Sequence, residues 1–386
     1  MLVNARTERA KPSPHHMAQG QSRVVVRSIG TSGVALVRSL RQVMMLAEPD
    51  IAALLLQAPS TLMTGMEHGT AESVAALLRD TGLDCAVLEP DSDASLAWSE
   101  GVGDHEVALH IHDFSHMPAI VLEIMHLLGV DAHTAHKIAC AVPAPLLGGV
   151  SAATVAALRV RFAPLGAEID ASRPEQTCFD LFMAPSPAAL HDRIGARLRM
   201  IAGEGAESLL TGGVLSGIER EVAVRILHEL RPLSIPLRVV NRDFARYAVM
   251  LRQASDSPAL RACLARSCGM PPAVVPQVLA NLPMVLHHHL PHAETEAILA
   301  ELVELGAVAV AEPTALQRFA LELDAVRDPA MVAPLLRDIG DLAEAEVMAT
   351  LRQHQPRFAG PFTPTQAHWL VHELRRAGAV ARLESL

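Results

Sequence analysis

The sequence predicts an α+β protein of five tandem two-layer units, each ordered β-α-α-β-α-β with its helices packed on one face of a small sheet. Three observations predict it. A proline is followed 23 residues later by a glycine at Pro59 and Gly82, Pro143 and Gly166, and Pro283 and Gly306, and 22 residues later at Pro356 and Gly378. Between each pair lies a helical pattern, and after each glycine comes a short β-like run. Finally, half of the 386 residues are apolar and only 19% are charged. That excess excludes disorder over most of the length and calls for surface buried between neighbouring units or against a partner.

Residues 1–22 read as a disordered tail, polar and basic with Pro12 and Pro14, or as sequence upstream of a start at Met17. The first unit, 23–90, opens with the strand VVVRSI and closes with the helix AESVAALLRDTG and the strand LDCAVLE. Residues 91–104 (DSDASLAWSEGVGD) read as an acidic linker. The second unit, 105–172, shows the whole order. The strand VALHIH precedes PAIVLEIMHLLG and DAHTAHKIACAV, each with apolar residues at i, i+3, i+4 and i+7, and the unit ends in SAATVAALRVRFAPLG and AEIDA. The third, 177–241, is degenerate. CFDLFMA, PAALHDRIGARLRMIAG, GAESLLTG, LSGIEREVAVRILHELR and IPLRVVN keep the order without the central proline. The fourth, 243–312, carries AETEAILAELVELG and AVAVAE, and the fifth, 316–385, carries RFALELD, TPTQAHWLVHELRRAG and AVARLES. Serine, threonine or a polar cluster opens the last helix of a unit, and glycine closes it as a C-cap.

Composition narrows the function. A net charge of −10 disfavours a duplex nucleic-acid binder, and one Tyr, two Trp and eight Phe leave few platforms for stacking bases. The longest apolar run, Pro118 to Val130, is interrupted by Glu123 and His126, so no membrane span is expected. Five cysteines (Cys85, Cys140, Cys178, Cys263, Cys268) without a CxxC argue against a disulfide framework and suit a reduced, cytoplasmic protein, each cysteine a small buried hydrophobe.

Catalytic signatures are missing. There is no GxGxxG, P-loop or GxSxG, and the glycines at 30, 33, 212 and 213 sit in turns. His110, His112 and His116 lie in HIHDFSH, His287 to His289 in the turn after Pro283, and His368 and His372 one helical turn apart. None has a fourth ligand at metal-site spacing, so they read as solvated or core-edge histidines. Glu219 with Glu221 and Glu344 with Glu346 read as solvated charge. No catalytic residue, metal or cofactor is expected.

The second unit carries a resemblance. Residues 135–171, AHKIACAVPAPLLGGVSAATVAALRVRFAPLGAEIDA, resemble the C-terminal domain of the bacterial ribosomal stalk protein, with Pro143, Gly149, Val150, Leu158, Gly166, Ala167 and Glu168 matching. The other units share the skeleton, and the Clp protease adaptor has a similar fold. The resemblance implies a docking knob that recruits translation factors through basic residues on its first two helices. Counted back from Pro143, those positions fall on Leu122, Met125 and His136, the last beside Lys137. The implied face is largely apolar and suits a protein partner or a neighbouring unit. For the adaptor, Asp113 and His136 imitate the residues that hold a free α-amino group. The expectation is therefore a non-enzymatic scaffold or adaptor binding protein partners through Leu122, Met125, His136 and Lys137. Translation-factor or Clp-protease adaptation is the alternative, and homo-oligomers are compatible with either.

Overall fold

The computed structural model describes residues 22–90, 92–183, 188–233 and 237–386. The expected tail, and with it the choice between Met1 and Met17, lies outside the described residues except for Ser22, which begins the first strand. The fold is mixed α+β with five three-stranded antiparallel sheets.

The first sheet holds β1 (Ser22–Ser28), β2 (Ser60–Met66) and β3 (Asp84–Leu88), with α1 (Val34–Val43) and α2 (Glu48–Leu56) between the first two strands and α3 (His68–Asp80) before the third. A short α4 (Asp93–Leu96) follows. The second sheet holds β4 (His105–Ile111), β5 (Ala144–Val150) and β6 (Ala167–Ser172), with α5 (Met117–Leu128), α6 (Ala132–Cys140) and α7 (Ala152–Phe162). In the third, β7 (Cys178–Met183), β8 (Val214–Glu219) and β9 (Leu237–Asn241) accompany α8 (Ala188–Ala202) and α9 (Arg220–Leu230), and a 3₁₀ turn at Ala206–Thr211 stands where the others have a second helix. The fourth has β10 (Arg246–Gln253), α10 (Pro258–Cys268), α11 (Val275–Leu279), β11 (Met284–Pro291), α12 (His292–Glu304) and β12 (Val308–Pro313). The fifth has β13 (Phe319–Ala325), α13 (Pro329–Asp338), α14 (Glu344–Thr350), β14 (Arg357–Phe362), α15 (Pro364–Arg376) and β15 (Val380–Ser385). Every sheet has its first strand in the centre, flanked by the second and third.

The proline and glycine signals have local causes. Gly82, Gly166, Gly306 and Gly378 all take positive φ, between 66° and 88°, as the chain leaves a helix and enters the third strand. At Gly82 a Cβ would meet Thr31 Oγ1 at 2.3 Å, so both conformation and space exclude a side chain. Pro59, Pro143, Pro283 and Pro356 each stand just ahead of a middle strand, and cis bonds precede Pro59, Pro143, Pro283 and Pro361. The hydroxyl caps expected at the last helices are present at α7, where Ser151 accepts from the Thr154 amide at 3.3 Å, and at α15, where Thr363 accepts from the Gln366 amide at 3.2 Å. The helices α3 and α12 have no side-chain cap. Three local expectations change. His287 to His289 lie in β11 rather than in a turn. The start of LSGIEREVAVRILHELR forms β8, leaving Glu219 at a strand end. The segment after residue 91 is tied down: Arg23 Nη2 donates to Ser95 Oγ at 3.0 Å, and the Gly101 amide donates to Pro59 O at 2.6 Å.

Two compact bodies result, one holding the first two sheets and the other the last three. In the first, α5 packs against α1. Arg161 on α7, almost wholly buried, donates from Nε to Glu123 Oε1 at 2.6 Å and from Nη1 to Ser32 O at 2.8 Å. The Ser151 and Thr154 hydroxyls both donate into the α2–β2 junction, to Ala58 O and Leu56 O.

In the second body, Phe179, Leu181 and Met183 of β7 face their own helices. Phe182 of β7 and Val240 of β9 pack instead against Ala245, Tyr247 and Ala315. Asp180, buried in that contact, accepts from Arg242 Nε at 2.9 Å, the Gly217 amide at 2.9 Å and the Tyr247 hydroxyl at 3.3 Å. Burial, with the Asp180 charge adding to it, pushes the Tyr247 phenol up to about 12.

Two outcomes follow from this network. Replacing Asp180 by Ala strands an arginine, a phenol and an amide, and should cost about 3 kcal/mol in denaturant unfolding, with Asp180→Asn costing less. Tyr247 is the only tyrosine, so phenolate absorption should titrate with a midpoint near 12 in the folded protein. Because the folded state holds this proton more tightly, the stability it contributes is complete below the unfolded value near 10. It is lost as pH rises toward 12, which unfolding measured across that window will show.

Candidate functional site

On α5 the residues Met117, Ile120, Val121, Ile124 and Leu127 are buried, which fixes the helix's rotation. Leu122 then falls on the solvent side at 64% exposure, and Met125, three residues on, is half-buried. On α6, His136 is half-buried and Lys137 exposed. The four expected docking residues thus occupy two consecutive helices, with Leu122 the most open of the apolar pair. Asp113 accepts from the Ser115 amide at 2.9 Å and caps the short turn that leads into α5.

The pattern recurs beyond α5. Among the described residues, the strongly exposed methionines all belong to the helices that follow a first strand, or to the loop joining them. Met45 lies between α1 and α2 beside exposed Val43 and Leu46, Met200 on α8, Met331 on α13 and Met348 on α14. Between α13 and α14 runs a shallow groove of about 230 Å³ lined by Ala333, Pro334, Val347 and Met348, with the Arg337–Glu344 ion pair at its rim. Methionine is flexible and polarisable, which suits surfaces that accept varied apolar partners. The last helices expose branched aliphatics instead (Leu77, Val160, Val224, Val303).

The histidines divide into separate pairs. His110 faces Asp170 at 3.3 Å, His112 faces Glu168 at 3.3 Å, and His116 faces Asp113 at 3.7 Å. His368 Nδ1 is 2.7 Å from Pro364 O, and His372 lies beside Glu373. Among the described residues, no three His, Cys, Asp or Glu side chains come together as a metal site, and no helix is long and apolar enough to cross a membrane. Of the expected solvated carboxylates, Glu344 is paired with Arg337.

One juxtaposition was not legible in the sequence. Cys268 Sγ lies 3.3 Å from His287 Nε2, joining the end of α10 to β11 across 19 residues. It resembles a nucleophile and its base, but its electrostatics oppose that role. Burial pushes the Cys268 thiol up and the His287 imidazole down, although the nearby Glu294 charge acts the other way on the histidine. Cys268 also sits at a helix C-terminus, where the dipole disfavours a thiolate. The pair is a neutral thiol–imidazole contact. Cys85, Cys140 and Cys263 are buried, and burial pushes Cys140 up to about 12.

Comparison of the chain with protein-family models, curated proteins and solved structures finds no match.

In a Cys178→Ser variant, Cys268 is the one half-buried thiol left among the five cysteines. Its alkylation by iodoacetamide should be slow at neutral pH and rise with a midpoint above 9.0, the ordinary thiol value. A midpoint near or below neutrality would show an activated nucleophile.

Proposed function

We propose that the protein is a non-enzymatic scaffold or adaptor, built from five ribosomal-stalk-like β-α-α-β-α-β units, that binds protein partners through the first two helices of its units. The observation that carries this reading is that the exposed methionines among the described residues all lie on those helices or the loops joining them, together with Leu122 at 64% exposure on α5. An apolar side chain held in water gains roughly 1.5–3 kcal/mol when a partner buries it fully, so such positions are natural anchors. In the unit spanning 105–172, whose residues 135–171 resemble the stalk domain, Leu122 and Met125 would form the apolar contact, with His136 and Lys137 at the rim. The cytoplasm is the compartment this reading implies. Adaptation to translation factors or to a Clp-type protease is a second reading, favoured by the residues shared over 135–171.

The test compares partners retained from the native cell by the full chain and by Leu122→Glu and Met331→Glu variants, identified by mass spectrometry. Both residues are exposed, so the variants should keep the wild-type melting temperature, a surface change being worth about 0.5 kcal/mol or less. Each is expected to lose a partner that the wild type holds. Met125→Glu should lose the Leu122 partner and also lower the melting temperature, because Met125 is half-buried. Unchanged partner sets in all three would overturn the docking face. Binding of a purified translational GTPase or Clp chaperone, lost on Leu122→Glu, would select the second reading.

A further inference from the structure

The second compact body contains two arginines that converge without a counter-charge. Arg238 lies on β9, opposite Phe182 in the sheet register, and Arg318 lies in the connection from β12 to β13. Both guanidinium groups donate to the same oxygen, Ala315 O: Arg238 through Nη1, and Arg318 through Nη1 at 3.0 Å. Arg318 Nη1 also donates to Gln317 O at 2.6 Å. The two positive groups are therefore close neighbours, held by one buried turn whose Thr314 and Ala315 are almost inaccessible.

Neither arginine has a carboxylate within ion-pair distance among the described residues. Acids outnumber Lys and Arg by 42 to 32 in the chain, and Arg161, Arg242, Arg261, Arg337 and Arg357 are each paired with one, whereas these two half-buried guanidinium groups converge on a single carbonyl. Both side chains are half-buried, so water screens them only in part. Burial depresses both, and the Arg318 charge depresses Arg238 further, yet arginine stays protonated. All their bonds come from Nη1, which leaves Nε and Nη2 of each guanidinium as donors with no protein acceptor among the described residues. None of these nitrogens is sealed from solvent.

We propose that Arg238 and Arg318 form a binding site for a phosphate dianion, free or as the monoester of a small molecule. Two planar forks with spare donors match the several acceptor oxygens of a phosphate, and two positive charges match its double negative charge. A monocarboxylate would neutralise only half of the pair. Occupation would also strengthen the junction, because the ligand would bridge β9 to the segment entering β13.

The experiment titrates the full chain with inorganic phosphate, glycerol phosphate, acetate and chloride at matched ionic strength, by calorimetry and by melting temperature. Saturable binding of phosphate, with a rise in melting temperature that acetate and chloride do not reproduce, is the expected result. Tighter binding of glycerol phosphate would assign the site to a monoester, and equal or weaker binding would assign it to the free ion. Arg318→Gln should weaken phosphate about 10- to 100-fold, the loss of a charge-assisted hydrogen bond, and the phosphate-induced rise in melting temperature, measured from that variant's own ligand-free value, should shrink with it. Arg318→Lys keeps the charge without the fork and should fall between the two. No saturable binding, an equal response to acetate, or an undiminished response in Arg318→Gln would overturn the site.

Discussion

A sheet of three strands has one interior strand, and in the first three sheets the middle of that strand is buried on both faces. Val24, Val25 and Val26 are consecutive in β1 and wholly buried, as are Val107 and Ala108 in β4, followed by Leu109 at 2% exposure. Successive strand residues point to opposite faces, so such runs demand cover above and below. Each sheet's own helices supply one layer. The other must come from outside the three strands, and this need turns a row of small, individually marginal sheets into larger bodies.

The third sheet shows how the second layer is made. Phe182 and Val240 turn away from their own helices and meet Tyr247, Ala245 and Ala315 from the following segment. Asp180 shares that side of β7, and its desolvation is offset by three donors, one of them charged. In the first body the polar contribution is different. A nearly buried arginine on α7 spends its donors on Glu123 and on the carbonyls near the start of α1. Both are polar fastenings at apolar junctions, and both fix orientation where apolar contact alone leaves freedom to slide.

With the sheets covered, the exposed apolar side chains fall largely on the helices. Their outer faces carry the exposed Leu122 and the methionines, while the chemistry-bearing side chains are mostly neutralised in pairs: histidine with carboxylate, Cys268 with His287, arginine with glutamate or aspartate. Arg238 and Arg318 converge on one carbonyl, and the turn that brings them together brings no acid within ion-pair distance among the described residues. The proposed docking by surface helices and the proposed anion site at a junction between sheets rest on different residues of one architecture.

Much of the succession of strands and helices is legible in the sequence, because the signals are local, although a 3₁₀ turn stands in place of the second helix of the third unit. A glycine after an amphipathic run can take the positive φ that ends a helix, an amphipathic stripe faces a core, and a β-branched run favours a sheet. The sequence placed a middle strand in each unit without assigning its residues. STLMTGM, APLLGGV and RFAGPF contain glycine or proline and lie at sheet edges, where strand formation depends on a partner tens of residues away rather than on intrinsic preference. The histidines of β11 carry the same weak signal, because MVLHHHLP is an edge strand ending in proline. The expected docking residues Leu122, Met125, His136 and Lys137 could be placed on helices from periodicity and the resemblance, but how open each one is depends on what packs beside α5 and α6. The Asp180 network, the Cys268–His287 contact and the Arg238–Arg318 pair left no sequence signal. Their members are 19 to 80 residues apart, and only the crossing of strands and the closing of one module on the next brings them within hydrogen-bonding distance.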